Sequence, residues 1–253
     1  MNIIYKYNTI ESILVKNHIR DIEVKLSFLK NAITKSKEII TKISEFEVNI
    51  FDILGMRNLS AFIGEVFVRS IVQESNGLFI NNPHQDGYPD LLILDEQGKM
   101  EYGKNITNLR DKQPFSPFLT GGIEIKATCG AVPTSAILRK KGFEKPDIGD
   151  TRIQFLNGYD WKAHHRQTNN LLSILWDFVD RIPIICAVFY SSDLDESDWG
   201  NIVQPKEGGG KTTSVSIMNR TGVKKMYNGW ICVIDDNDYI NFLNKYNNST
   251  LIK

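Results

Sequence analysis

Pro89-Asp90-Leu91-Leu92-Ile93-Leu94 and Gly122-Ile123-Glu124-Ile125-Lys126-Ala127-Thr128 are the two stretches on which the fold of this chain turns. Both are short apolar runs next to turn-forming residues, the pattern of β-strands. Side chains alternate across a strand, so Glu124 and Lys126 share one face and Ile123 and Ile125 the other. A carboxylate then stands beside an ammonium, with two β-branched anchors turned into the core. If the two strands are neighbours, Asp90 joins them. Two carboxylates and a lysine about one point suit a hard divalent cation and an activated water. Such a site is suited to cutting a phosphodiester.

The acid-x-Lys triplet occurs three times, at Glu23-Val24-Lys25, Glu124-Ile125-Lys126 and Asp160-Trp161-Lys162, and Pro-Asp twice, at Pro89-Asp90 and Pro146-Asp147. Context separates them. Glu23 and Lys25 lie in a helix-patterned stretch, where i and i+2 side chains point to different faces. Asp160 follows Asn157-Gly158, a turn signal, and no apolar alternation is counted around it. The 89–126 pair has strand pattern on both sides and is preferred. Its bland alternative is a solvent-facing cross-strand ion pair between Glu124 and Lys126.

In order and spacing, Pro89-Asp90 with Glu124-Ile125-Lys126 resembles the PD-(D/E)xK nuclease superfamily, which holds most type II restriction endonucleases. The matching residues are a small part of the chain. The resemblance implies a restriction-endonuclease-like α/β fold, a mixed central β-sheet flanked by helices. It implies Mg²⁺-dependent hydrolysis of double-stranded DNA, with Asp90, Glu124 and Lys126 catalytic and 5′-phosphate and 3′-hydroxyl ends as products. Metal ligands would be Asp90, Glu124 and the backbone carbonyl of Ile125. Many nucleases of the superfamily also use a glutamate on the helix before the first catalytic strand, and Glu65 has that place in chain order. Otherwise Glu65 makes an exposed ion pair with Arg69 one turn later.

A type II restriction endonuclease acting as a homodimer on palindromic DNA is the leading expectation. The alternatives are a DNA repair or junction-resolving nuclease of the same superfamily, and a non-catalytic DNA-binding protein in which the three charges are only an ion-pair network. Lys+Arg and Asp+Glu both number 30, so the net charge is zero. That argues against a non-specific, charge-driven nucleic-acid coat protein, while a reading enzyme needs basic residues in only one cleft. Cys129, Cys186 and Cys232 are far apart and form no CxxC, which points to free thiols in a reducing cytoplasm. No apolar run is long enough to span a bilayer, and Met1 to Lys6 lacks the core of a secretory signal.

At 253 residues the chain is read as one endonuclease domain, with a helical N-terminal segment (1–50) and a catalytic core (51–253). Asn8-Thr9-Ile10-Glu11 has capping-box spacing, and Ile10, Ile13, Leu14, Ile22, Leu26, Leu29, Ile33, Ile40 and Ile43 predict two helices or one kinked helix to about Glu45, offering a dimer face. A second helix is predicted from Asn58 to Glu74 and a strand over Leu78–Ile80. A loop holding Asp86, a rival to Asp90, follows. Asp95-Glu96-Gln97-Gly98 reads as a turn, opening a polar, irregular insertion to Thr120. Lys162 to Gln167 is predicted to open a helix running through Leu171, Leu172, Leu175, Trp176 and Val179; strands are predicted over Ile182–Tyr190 and Trp230–Ile234. DNA contacts are expected from Arg139, Lys140, Lys141, Lys162, His164, Arg166 and Gln167. Gly208-Gly209-Gly210-Lys211-Thr212 fails the phosphate-loop template, since Pro205 stands where a glycine is required.

Overall fold

Among the described residues, strands rather than a helix come first. The computed structural model describes residues 5–45, 50–84, 87–163, 166, 168–203 and 216–245. It begins with β1 (Tyr7–Thr9), β2 (Ser12–Lys16) and β3 (Asp21–Lys25), then α1 (Leu29–Ser44), α2 (Ile50–Ile53) and α3 (Met56–Glu74). Next come β4 (Phe79–Asn81), β5 (Leu91–Ile93), α4 (Glu96–Asn105), β6 (Gly122–Thr128), α5 (Ser135–Lys140) and β7 (Lys162–Ala163). β8 (Leu171–Val179), β9 (Ile182–Ser191), β10 (Ser216–Ile217), α6 (Arg220–Asn228), β11 (Trp230–Ile234) and α7 (Asn237–Asn244) complete it.

A seven-stranded sheet runs in the order β1-β11-β9-β8-β6-β5-β4. Its pairings are antiparallel except β6 with β8, which is parallel. The mixed α/β class is therefore as expected. α1 and α3 pack on one face, where Leu29, Ile33, Leu59, Ile63 and Phe67 meet Ile123, Ile125, Leu172, Ile174 and Trp176. α6 and α7 cover the other, where Met226, Tyr239, Phe242 and Leu243 meet Leu171, Leu175, Phe189 and Val233.

The expected helix through Leu171–Val179 is instead β8. Leu172, Ile174, Trp176 and Phe178 enter one layer while Leu171 and Leu175 enter the other. A strand apolar on both faces loses its polar alternation, and periodicity then cannot tell it from a buried helix. The expected helix over 8–25 fails for a different reason. Ile13 and Val15 are buried while Leu14 between them is 44% exposed, a period of two. Across the hairpin Ile13 faces Val24, and Val15 faces Ile22. Asn17 fixes the turn by accepting the backbone N–H of Ile19 and Arg20 on its Oδ1, both at 2.8 Å. The N-terminal segment is thus part of the core: β1 is a sheet edge, and α1 packs its apolar side on α3 and β9.

Asp95 is a helix N-cap rather than a turn residue, its carboxylate accepting the Gly98 N–H at 2.9 Å. The 99–120 insertion accordingly starts in α4, and its Phe115 and Phe118 bury against Leu92. Helix α3 and the strands at 79–81, 182–191 and 230–234 agree with expectation. Cys186 and Cys232 are buried free thiols. Among the described residues, no helix is long and apolar enough to cross a membrane. The Gly208–Thr212 segment and Asp86 lie outside the described residues.

Candidate active site

Gly121 and Gly122 bring the two motif strands together. Gly121 has φ +90, and a Cβ at Gly122 would stand 2.0 Å from the Leu91 carbonyl and 2.4 Å from the Pro89 ring. Only a residue without a side chain allows that approach. β5 then pairs with β6 through Leu91–Ile123 and Leu92–Gly122, and the pairing stops there. Beyond it the Asp90 carboxylate takes over the ladder: its Oδ2 accepts the Ile125 N–H at 2.7 Å. Asn82 holds the same segment, its backbone N–H donating to the Asp90 carbonyl and its side-chain amide to the Pro89 carbonyl.

Three oxygens converge on the Lys126 ammonium. Glu124 Oε1 lies at 2.5 Å, the Ile125 carbonyl at 3.0 Å and Asp90 Oδ2 at 3.6 Å from Nζ. Glu124 is only 3% exposed, and its other oxygen, Oε2, is buried with no hydrogen-bond partner. Burial pushes the Glu124 carboxyl up to about 7, against the pull of Lys126 and with the help of Asp90. Burial alone would lower the Lys126 ammonium, but Glu124 and Asp90 outweigh it and raise its pKa. Tyr88 is pushed up to about 12 by burial and by the nearby Glu124 charge, so it remains a neutral phenol.

Asp90 and Lys126 open into a cleft of about 910 Å³. One wall is α3, contributing Arg57, Ser60, Gly64, Glu65 and Arg69; Asn82 and His84 close one side, and Asp160 and Lys162 another. Glu65 reaches this cleft from the far side of β6. Ile123 and Ile125 face α3, whereas Glu124 and Lys126 stand on the opposite face. Among the described residues Glu65 is not paired with Arg69, nor hydrogen-bonded or ion-paired to the Asp90–Glu124–Lys126 group.

The rejected Asp160-Trp161-Lys162 triplet also lines the cleft. An isolated bridge between Ala131 and Gly158 folds that segment onto the end of β6, and Lys162 belongs to the short strand β7, paired with β10. Tyr159 and Trp161 are buried while Asp160 and Lys162 between and after them turn outward, so an alternation was present in Tyr159-Asp160-Trp161-Lys162 after all. Pro146-Asp147, its supposed partner, is not in the cleft lining. Glu23 and Lys25 do share a strand face, contrary to the helical reading, but they too are outside the lining.

Of the expected DNA contacts, Lys162 lines the cleft, and Arg139, Lys140 and Lys141 are exposed at and just after α5, outside the lining. Arg166 donates to the Glu196 carbonyl at 3.1 Å rather than entering the cleft. His164 and Gln167 lie outside the described residues. Arg57, Arg69 and His84 are cleft residues that sequence reasoning missed.

Two carboxylates and one carbonyl are a hard, all-oxygen donor set, the kind Mg²⁺ takes. Their convergence on a cationic nitrogen and the unpartnered Glu124 Oε2 fit such an ion. No cluster of three or more His, Cys, Asp or Glu side chains suited to a metal occurs among the described residues, so any ion would rely on the Ile125 carbonyl and water for further ligands. No protein-family model, no curated protein and no solved structure matches this chain.

Proposed function

We propose that this chain is a Mg²⁺-dependent endonuclease that hydrolyses phosphodiester bonds of double-stranded DNA, of the type II restriction kind and with a restriction-endonuclease-like core. The observation that carries the reading is the gathering of Asp90 Oδ2, Glu124 Oε1 and the Ile125 carbonyl about Lys126 Nζ at the mouth of an open cleft. A purely structural ion pair explains less. Buried polar groups in such pairs are normally satisfied on every atom, because an unmet carboxylate oxygen is costly. Glu124 instead keeps an unpartnered oxygen and a raised pKa, the signature of a site held ready for a ligand.

Asp90 and Glu124, with the Ile125 carbonyl, would hold the ion. Bound there, Mg²⁺ supplies Lewis-acid polarisation of the scissile phosphate and a water of lowered pKa. Lys126 orients the attacking water and offsets the charge that builds on the phosphate in the transition state. Asn82 keeps Asp90 in register with β6 through its bonds to residues 89 and 90. Glu65 and Asp160 are the further carboxylates of the cleft. One such site per chain cuts one strand, so cleavage of both strands calls for a two-fold homodimer.

Asp90→Ala and Lys126→Ala are expected to abolish cleavage while leaving Ca²⁺-supported DNA binding largely intact. Wild-type cutting by either variant, measured on the same duplex, sinks the assignment.

A further inference from the structure

We infer that Arg57 and Arg69 on α3, with Lys162 across the cleft, form a phosphate-gripping rail that holds duplex DNA over the Asp90–Glu124–Lys126 site; this rests on the nuclease reading above. All three residues are exposed and line the cleft that Asp90 and Lys126 enter. Arg57 and Arg69 are twelve positions apart on one helix, about 18 Å along its axis at the helical rise. That spans about five base steps of duplex at the rise of a single strand. Two guanidinium groups so spaced reach phosphates on either side of a central one, and Glu65 lies between them facing the same space.

The charge pattern is unusual in one respect. Two of the three cations have a carboxylate close by in sequence, Glu65 for Arg69 and Asp160 for Lys162, yet neither pair forms among the described residues. Elsewhere the protein does pair such groups, as in Lys104–Glu101 and Lys225–Asp198. Arg69 and Lys162, not paired with Glu65 and Asp160, are available along a concave surface to an anionic backbone. Counting the lining, Arg57, Arg69, Lys126 and Lys162 face Glu65, Asp90 and Asp160, and Glu124 behind them brings the sum to about zero when ionised. A divalent cation would make the cleft net positive. DNA affinity is therefore expected to rise with Ca²⁺, which occupies hard-oxygen sites without the fit that catalysis by Mg²⁺ needs. The grip carries no base information of its own, because phosphate contacts set register and not sequence.

The test is a salt series. Binding of a fluorescent duplex to wild type, to Arg57→Ala/Arg69→Ala and to Lys162→Ala would be followed by anisotropy in Ca²⁺. The slope of log affinity against log salt is expected to fall by about 0.9 for each phosphate contact removed, equally for unrelated DNA sequences. Both α3 positions are solvent-exposed, and circular dichroism melting verifies that the variants remain folded. Folded variants with the wild-type slope, in a protein that still cuts DNA, overturn the rail and leave the nuclease reading standing. A loss confined to one DNA sequence also overturns it, since that marks base readout. A wild-type chain that binds no duplex in Ca²⁺ and cuts none in Mg²⁺ overturns both.

Discussion

Glu124 is the residue on which the chemistry is most exposed to test. Burial in the folded protein pushes its carboxyl up to about 7 from a usual 4.5. A raised carboxyl pKa means the folded state holds the proton more tightly than the unfolded chain does. The stabilisation is then complete below about pH 4.5 and is lost as pH rises through about 7. In metal-free buffer, the stability of wild type relative to Glu124→Gln should therefore fall as pH rises through about 7. Added Mg²⁺ should reverse the loss, since the ion competes with the proton for the same carboxylate. Parallel pH profiles of chemical denaturation for the two proteins would remove Glu124 from the site. Asp90, Glu124 and Lys126 were legible in the sequence because a proline-aspartate and an acid-x-lysine each carried strand pattern around them. Arg57 and Arg69 were not, because a helix surface offers charged side chains in every direction and only the neighbouring strand decides which of them face a cleft.

Strands proved harder to read than residues wherever burial was two-sided or the strand was short. β8 is apolar on both faces, so its leucines imitate a helix. β2 and β3 are five residues each, too short to outvote the isoleucine spacing that continues into α1. What fixes them is tertiary. Asn170, at the start of β8, accepts the Lys16 N–H on Oδ1 at 3.0 Å and donates from Nδ2 to the Lys16 carbonyl at 2.5 Å. The Tyr190 hydroxyl also donates to Asn170 Oδ1, and the Asn170 carbonyl accepts the Glu124 N–H. Asn170 thus ties the N-terminal hairpin and β9 together through its buried side-chain amide and joins β6 through its backbone carbonyl. Asn170→Ala should cost about 1–3 kcal/mol, the usual result of stranding buried polar partners. Urea unfolding measures it, and a change within error would show that the hairpin docks by other means.

For the molecule as a whole, the sequence made the mixed α/β class visible but misplaced its first fifty residues. They were read as the helical N-terminal segment of a single domain; α1 is helical as expected, but residues before it form strands. In the structure β1 closes one sheet edge against β11, while Ile13, Val15, Val24 and Leu26 are buried with α3 and the sheet. A short edge strand contributes its backbone rather than a hydrophobic pattern, which is why periodicity gives it no voice. Removing residues 1–27 should therefore leave a chain without cooperative thermal unfolding, visible by calorimetry. A truncated protein that melts sharply and cuts DNA would contradict this.

The central claim is metal-dependent cutting at the Asp90–Glu124–Lys126 site. Its most direct trial is to incubate the purified chain with long duplex DNA in Mg²⁺, with EDTA in a parallel tube, and to map the ends of any fragments. Discrete fragments bearing 5′-phosphates, formed in Mg²⁺ and absent in EDTA, are the expected result. DNA left intact across Mg²⁺, Mn²⁺ and varied sequences, or cutting undiminished by EDTA, would contradict it.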